Sequence, residues 1–288
     1  MLRPFEIHEP ETVAEASRLL ARHGDDAAVY AGGTELIPVM KEGLAHYRHL
    51  VNIKTVPGLD TIAAAGDVLR IGALATHRMI ERSPVVRAHA PALAQVAAGV
   101  ANLRVRNVGT LGGNLCFAEP HSDPAVVLIA HGATLVVARD GAERRVPAEE
   151  FFLGILQTVR MPDEVLVRVD VTALRSGAGA SYARFALHER PTAGVAAVLA
   201  LDGGAVTSAR LAVGSVGPVP TRVAEAEAAL VGRRPDAAVV REAAGHAGRA
   251  VEVLEDLYGS VDYKRHIVTV LAVRALEDAV ARAEGRAH

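Results

Sequence analysis

Ala31-Gly32-Gly33-Thr34-Glu35 and Thr110-Leu111-Gly112-Gly113-Asn114 are the two stretches on which the reading of this chain turns. Each follows a short apolar segment read as a strand, and each sets a hydroxyl or amide side chain beside paired glycines. Glycine tolerates positive φ and lets backbone come close to a ligand. Successive N–H groups in such a turn form an anion-binding concavity. Two of them in one chain point to a single long anionic ligand gripped from two sides, and a dinucleotide pyrophosphate is the obvious candidate. Neither turn fits GxGxxG, nor GxxxxGK followed by Ser or Thr, so a Rossmann or P-loop site is not indicated.

Around the first turn the pattern predicts a small α/β lobe over residues 1–56. Residues 12–23 have helical periodicity, with Val13, Ala16, Leu19 and Leu20 on one face and Gly24 as the stop. Residues 27–31 read as a strand feeding the turn, Leu36–Lys41 as a short helix and His49–Ile53 as a second strand. Around the second turn a larger α/β lobe is expected over 57–175. It has a strand from Val68, helices near 76–82, 91–98 and 123–131, and strands over 133–138 and 164–171. Arg175-Ser176-Gly177-Ala178-Gly179 reads as a linker. Beyond it, residues 176–288 predict a separate α+β unit. It comprises strands at 181–187, 195–201 and 207–216, with Asp202-Gly203-Gly204 as a hairpin turn, then helices near 222–231, 236–255 and 262–284.

Composition removes several function classes. Of 288 residues, 31 are Lys or Arg and 33 Asp or Glu, a net charge of −2 that argues against a general nucleic-acid binder. The one cysteine, Cys116, allows no intramolecular disulfide and cannot hold an iron–sulfur cluster, which takes four thiolates. The histidines are scattered with neither HExxH nor CxxC, so no metal site is expected. The start Met1-Leu2-Arg3-Pro4-Phe5-Glu6 lacks a signal-peptide core, and apolar runs such as 125–130 and 195–201 fall far short of the ~18 residues of a membrane span. A cytoplasmic protein is expected.

Single residues admit two readings each. Asp123 reads as the cap of its helix or as an acceptor for a ligand hydroxyl. Cys116 is a small buried hydrophobe or a reactive thiol. Arg104 and Arg106, at a strand-like spacing of two, either neutralise a diphosphate or line a solvated face. Tyr182 and Arg184 share one strand face, bordering a planar ring or lying on the surface. His121-Ser122-Asp123 has the residue types of a triad, but adjacent residues cannot converge as nucleophilic catalysis needs. Lys264-Arg265-His266 opens the last helix against its dipole, which hints at a contact with another chain or a ligand.

Beyond spacing, residues 31–41 (AGGTELIPVMK) and 106–114 (RNVGTLGGN) resemble the two FAD-binding signatures of the flavoprotein (medium) subunit of the molybdenum hydroxylase / xanthine dehydrogenase family, of the carbon monoxide dehydrogenase type. The likeness continues through Pro120-His121-Ser122-Asp123-Pro124, Phe151-Phe152-Leu153-Gly154 and Pro162-Asp163-Glu164-Val165-Leu166. It runs on through Gly214-Ser215-Val216-Gly217-Pro218-Val219-Pro220-Thr221-Arg222 and Ser260-Val261-Asp262-Tyr263-Lys264-Arg265, in order along the chain.

The resemblance implies an α+β protein: a two-lobed PCMH-type FAD-binding domain, residues 1–175, followed by a C-terminal α+β domain, residues 176–288, with a three-stranded sheet and helices. Val29, Tyr30, Ala31, Gly32, Gly33, Thr34, Glu35 and Leu36, with Thr110, Leu111, Gly112, Gly113 and Asn114, would wrap the FAD pyrophosphate and adjoining parts. Asp123 would bond the cofactor near its ribose, Leu166 would pack on the flavin side, and Arg184 would stand near the isoalloxazine where many relatives have lysine. Where relatives read R-x-x-x-D-I-A, this chain has Arg190-Pro191-Thr192-Ala193-Gly194-Val195-Ala196, without the acid. No cysteine-rich insertion for a [4Fe–4S] cluster is present. The implied role is electron transfer, with no catalytic side chain. Electrons would come from [2Fe–2S] clusters of a small partner subunit, fed by a large molybdopterin-binding subunit in a dimer of heterotrimers, and leave to an external acceptor. The alternative is a stand-alone flavoprotein oxidoreductase of related fold, with Ser215 or Glu189 as its acid.

Overall fold

The computed structural model describes residues 2–187 and 190–286; Glu189 lies outside them. The first lobe holds β1 (Glu6–His8), α1 (Val13–His23), β2 (Ala27–Tyr30), α2 (Leu36–Lys41) and β3 (His49–Asn52). Its strands form a parallel sheet in the order β1-β3-β2. α1 starts where the Thr12 hydroxyl accepts from Glu15 N–H and stops at Gly24, φ 52°. Ala16 and Leu20 of its expected stripe are fully buried, against β3 and the middle of the next sheet.

The second lobe is built on an antiparallel sheet in the order β4-β5-β10-β6-β7. Its elements in chain order are β4 (Ile62–Ala65), β5 (Val68–Gly72), α3 (His77–Arg82), α4 (Pro84–His89), α5 (Pro91–Gly99), α6 (Leu103–Val108), α7 (Leu111–Phe117), α8 (Asp123–Ala130), β6 (Thr134–Arg139), β7 (Ala142–Pro147), α9 (Ala148–Phe151), β8 (Phe152–Gly154), β9 (Gln157–Thr158) and β10 (Val165–Thr172). Every residue of α8 is buried, as expected of a helix apolar on all sides. One side meets α5, and another meets the sheet of the C-terminal part of the chain.

That last sheet runs β11 (Ala178–Phe185), β12 (Ala193–Asp202), β13 (Ala205–Gly214) and β14 (Thr221–Arg222), all antiparallel. It has four strands where three were expected, because the two-residue β14 adds to β13 at Ala212 and Val213. Period-two alternation divides its faces. Val195, Ala197, Leu199, Leu211 and Val213 face α10 (Ala224–Leu230), α11 (Ala237–Ala250) and α12 (Val261–Ala283). Ala180, Tyr182, Ala196 and Ala212 join the core that surrounds α8. The segment expected as a linker therefore leads straight into a strand packed on both sides. Of the cation cluster opening α12, Arg265 and His266 are exposed, while Lys264 is satisfied within the chain. Lys264 is fully buried, pairs with Asp256 at 2.7 Å and donates to the Leu254 carbonyl at 2.9 Å.

Candidate functional site

β2 delivers the chain into the first glycine turn. Gly33 sits at φ 71°, a conformation that disfavours other residues. A Cβ on Gly32 would stand 2.2 Å from the Val108 carbonyl oxygen and 2.9 Å from Gly109 Cα, so this turn lies backbone-on-backbone against the second glycine segment. Glu35 takes the N-cap position of α2 but makes no side-chain cap bond there.

The second segment differs from its expected form. It is no turn after a strand: α6 leads into it, Thr110 caps α7 by accepting from Gly113 N–H at 3.0 Å, and Gly112 and Gly113 lie in the first helical turn. Leu111 N–H donates to the Ala75 carbonyl and Gly112 N–H to that of Ala73, so these amides form no anion nest. Gly112 serves contact instead, since a Cβ there would stand 2.7 Å from Ala73 Cβ. Arg104 and Arg106 consequently leave α6 in different directions. Arg106 is spent on the Val100 and Ala101 carbonyls and on Glu81, 3.4 Å away.

Between the two segments lies a cavity of about 320 Å³, near the lower end of the roughly 300–1,000 Å³ of small-molecule sites. Val29, Ala31, Gly32, Gly33, Thr34, Glu35 and Leu36 line one side, Thr110, Gly112, Gly113 and Asn114 another, and Leu166 of β10 a third. A more polar cavity of about 550 Å³ adjoins it, sharing Ala27, Tyr47, Cys116, Arg160 and Pro162. Four expected residues stand outside these walls. Tyr30 carries the Lys54 ammonium over its ring at 4.0 Å, Leu111 is wholly buried, and Asp123 and Arg184 lie further on.

The walls include polar groups that sequence reasoning missed. His77 is 3% exposed, and its Nδ1 has no partner among the described residues. Burial, with Arg106 nearby, pushes its pKa down to about 4, so the ring is neutral. Arg160 is anchored by donating to the Met161, Pro162 and Glu164 carbonyls. Glu164 is buried, yet two hydrogen bonds of 2.6 Å from Arg144 and one from Met161 N–H keep its carboxyl below the usual range. Cys116 borders both cavities, and burial pushes its thiol up, away from reactivity. Thr76 caps α3 by accepting from Met79 N–H, and nothing local in the sequence signals that the next residue, His77, turns inward.

Asp123 opens α8 without capping it. Its carboxylate accepts from the Tyr182 hydroxyl and from Arg184 Nη1 at 2.9 Å. Tyr182 and Arg184 do share a strand face, and both spend it on Asp123. Burial raises the pKa of Asp123 and lifts that of Tyr182 still further. The Arg184 guanidinium passes beside Gly99, next to the Val100–Ala101 wall of the cavity. Ser122 donates to Asn114 Oδ1 at 2.6 Å and so pins that amide in the wall. His121 is bonded to Glu119 at 2.8 Å, and with Asp123 engaged elsewhere no triad forms.

A close glycine wall, an orphaned buried ring nitrogen, a fixed guanidinium and apolar flanks suit a long ligand with phosphate and ring parts. Residues 3–172 match the family described as the FAD binding domain in molybdopterin dehydrogenase, and residues 183–279 the CO dehydrogenase flavoprotein C-terminal domain. The chain belongs to the FAD-binding medium subunits of the molybdenum hydroxylases. Among relatives of this medium subunit is the carbon monoxide dehydrogenase medium chain of Hydrogenophaga pseudoflava, 36% identical over 96% of this chain and 98% of its own. Another is the 6-hydroxypseudooxynicotine dehydrogenase complex subunit alpha of Paenarthrobacter nicotinovorans, 31% identical over 97% and 95%. The solved carbon monoxide dehydrogenase of H. pseudoflava matches with TM-score 0.95 and 37% identity, over 98% of this chain and 99% of that one. Quinoline 2-oxidoreductase of Pseudomonas putida 86 matches with TM-score 0.91 and 29% identity, over the full length of both chains. The cofactor is FAD, and the subunit is part of an oxidoreductase. No helix of the described residues is long and apolar enough to cross a membrane.

Proposed function

We propose that this medium subunit carries electrons through FAD, from the [2Fe–2S] clusters of a small partner subunit to an external acceptor. A large molybdopterin-binding subunit performs the hydroxylation, and the three chains assemble as a dimer of heterotrimers. The observation that carries this reading is the single cleft where both glycine segments meet, in a chain matched along its length by medium chains. One cysteine leaves the clusters to other chains.

Bound FAD supplies the redox chemistry; the protein binds, orients and tunes it. The wall residues Val29, Ala31, Gly32, Gly33, Thr34, Glu35 and Leu36, with His77 and Arg160, would hold the pyrophosphate and its neighbours, and Thr110, Gly112, Gly113 and Asn114 would bound the facing side. Leu166 flanks the ring system. Tyr182 and Asp123 fix Arg184 at the Gly99 edge, so that Asp123 acts toward the cofactor through that guanidinium. No side chain is required as acid, base or nucleophile toward an organic substrate. The stand-alone reading gains no support: Ser215 is buried and outside the cavity walls, and its other candidate, Glu189, lies outside the described residues.

The test is anaerobic. The purified chain should hold FAD, and adding its small subunit, reduced with dithionite and then freed of reductant, should bleach the long-wavelength flavin band. Substrates named for the relatives (carbon monoxide, 6-hydroxypseudooxynicotine, quinoline) should leave the flavin of the isolated chain oxidised. Reduction of the isolated chain by one of them, or no electron transfer from the reduced small subunit, would overturn the reading.

A further inference from the structure

On one face of the small parallel sheet, reaching inward from the edge opposite the glycine turn, three histidines meet. His8 ends β1, His23 ends α1 and His49 opens β3. The His23 and His49 rings stack at 3.8 Å between centroids, with His8 at 5.0 and 5.2 Å from them. His8 Nε2 lies 3.0 Å from His49 Nδ1, and one nitrogen from each ring lies within 4.8 Å of the others. Glu6, opposite His49 in the β1–β3 ladder, places a carboxylate oxygen 3.4 Å from His49 Nδ1 and 3.8 Å from His8 Nε2. The rings are half-buried and Glu6 is exposed.

The cluster is not explained by packing alone. A neutral imidazole presents one ring nitrogen as an acceptor, and one nitrogen from each of three elements converges here, with His8 and His49 joined by a hydrogen bond whose proton a metal ion would displace. Neutral imidazole is also the form that binds zinc, copper and nickel. A tetrahedral site with metal–nitrogen bonds of about 2 Å sets its ligand atoms about 3.3 Å apart. His8 Nε2 and His49 Nδ1, 3.0 Å apart, and a nitrogen from each ring within 4.8 Å of the others are close to that spacing. The surrounding charges suit a cation: Glu6 is adjacent, and Arg48 beside the cluster is neutralised by Asp26, leaving Arg22 as the opposing charge.

We propose that His8, His23 and His49 bind one divalent transition-metal ion, Zn²⁺ by geometry, with Glu6 or water as the fourth ligand. The ion would tie β1, α1 and β3 together across one face of the sheet, from His49 at its amino edge to His8 at the end of β1. Ala27 of β2 pairs with His49 at this edge, and three residues later β2 ends at Tyr30 beside the glycine turn. The site thus braces the strand that presents the flavin wall, and it is independent of the electron path proposed above.

The test uses the untagged, flavin-loaded chain, stripped with a chelator and titrated with Co²⁺ and then Zn²⁺. One Co²⁺ per chain is expected, with visible bands of a four-coordinate ion that Zn²⁺ abolishes. His49→Gln and His23→Gln should each weaken binding by more than about 100-fold, beyond the cost of losing an outer-shell partner. The exposed His266→Gln should not. Flavin content reports whether each variant is folded. X-ray absorption of the zinc-loaded wild type needs no variant: three imidazole ligands are expected. Fewer than three, sub-stoichiometric binding, or binding unchanged in a folded His49→Gln chain would overturn the proposal.

Discussion

The hydroxyl of Tyr182 fills the space that a side chain at position 194 would need. A Cβ built on Gly194 would stand 2.1 Å from Tyr182 Oη and 2.9 Å from Cζ. The two residues are diagonal neighbours across β11 and β12, whose register pairs Tyr182 with Ala196 and Arg184 with Gly194. Position 194 is where the family pattern carries an acid. Its absence here and the Tyr182–Asp123 hydrogen bond are therefore one structural fact: without a side chain at 194, a phenol reaches Asp123.

Gly194→Ala should accordingly cost about 1–3 kcal/mol, as overpacking of a filled core does. Denaturant midpoints measure it. Part of the penalty comes from the hydroxyl and part from the ring. In a Tyr182→Phe background it should shrink without vanishing, giving a coupling of at least about 0.5 kcal/mol in a double-mutant cycle. Additive costs would show that the two positions do not compete for this space.

Gly32→Ala should cost the protein its flavin. The atoms its Cβ would meet, the Val108 carbonyl and Gly109 Cα, are backbone and cannot rotate aside. The first turn must therefore lift away from the second, opening the wall they share. The expected result is a chain with native circular dichroism that purifies largely flavin-free. Gly203→Ala is the control. It sits at φ 57° in the β12–β13 hairpin with open space around it, so only a backbone penalty of about 1 kcal/mol is expected and flavin should be retained.

What could be read without coordinates was whatever local chemistry decides. The buried stripe of α1 and its stop at Gly24 formed as its periodicity and glycine indicated. The Asp202-Gly203-Gly204 hairpin and the alternation along β12 and β13 were also legible. Tertiary contact decided the rest. Gly112 and Gly113 read as a turn, yet they lie in the first turn of a helix that Thr110 caps, and glycine is needed at 112 because Ala73 leaves no room for a side chain there. Helix α11 was expected to reach residue 255 but ends at Ala250, where Val251 turns extended. Beyond it, the Leu254 carbonyl takes the buried Lys264 ammonium. Both glycine segments of the cavity were visible in the sequence. His77, Arg160 and the His8–His23–His49 cluster were not, because only the fold brings those side chains to their partners.

Acidification should destabilise the fold before the carboxylates titrate. His77 and His131 are both buried, and burial pushes each pKa from 6.5 to about 4. The unfolded chain then binds protons near pH 6.5 that the folded chain refuses. The stability of the neutral forms is intact above pH 6.5 and is lost as pH falls toward 4, by about 3 kcal/mol per histidine in full. Urea midpoints at pH 7.5, 6 and 5 should fall in that order. His77→Gln should reduce the slope by up to one proton, and His131→Gln by another. A slope unchanged in both variants would place the acid sensitivity elsewhere.

Lys264 offers the sharpest contrast between breaking a buried pair and replacing a buried charge. Its ammonium is fully buried and held by Asp256 and the Leu254 carbonyl, and Asp256 is one-third exposed. Removing the acid leaves the cation without its counter-charge, whereas replacing the cation with an apolar chain of similar length removes the demand itself. Asp256→Ala should therefore cost about 3 kcal/mol, the low end for a broken buried pair because water can reach the vacated site. Lys264→Met should stay within about 1 kcal/mol of the wild type. The same Asp256 lies 3.9 Å from His121 Nε2, which joins the approach to α12 to the segment before α8. Removing that contact adds to the cost of Asp256→Ala and not to that of Lys264→Met. Thermal midpoints of the flavin-loaded proteins decide the order. If Lys264→Met were the more damaging change, the carbonyl hydrogen bond at Leu254, and not charge pairing, would be what anchors the start of α12.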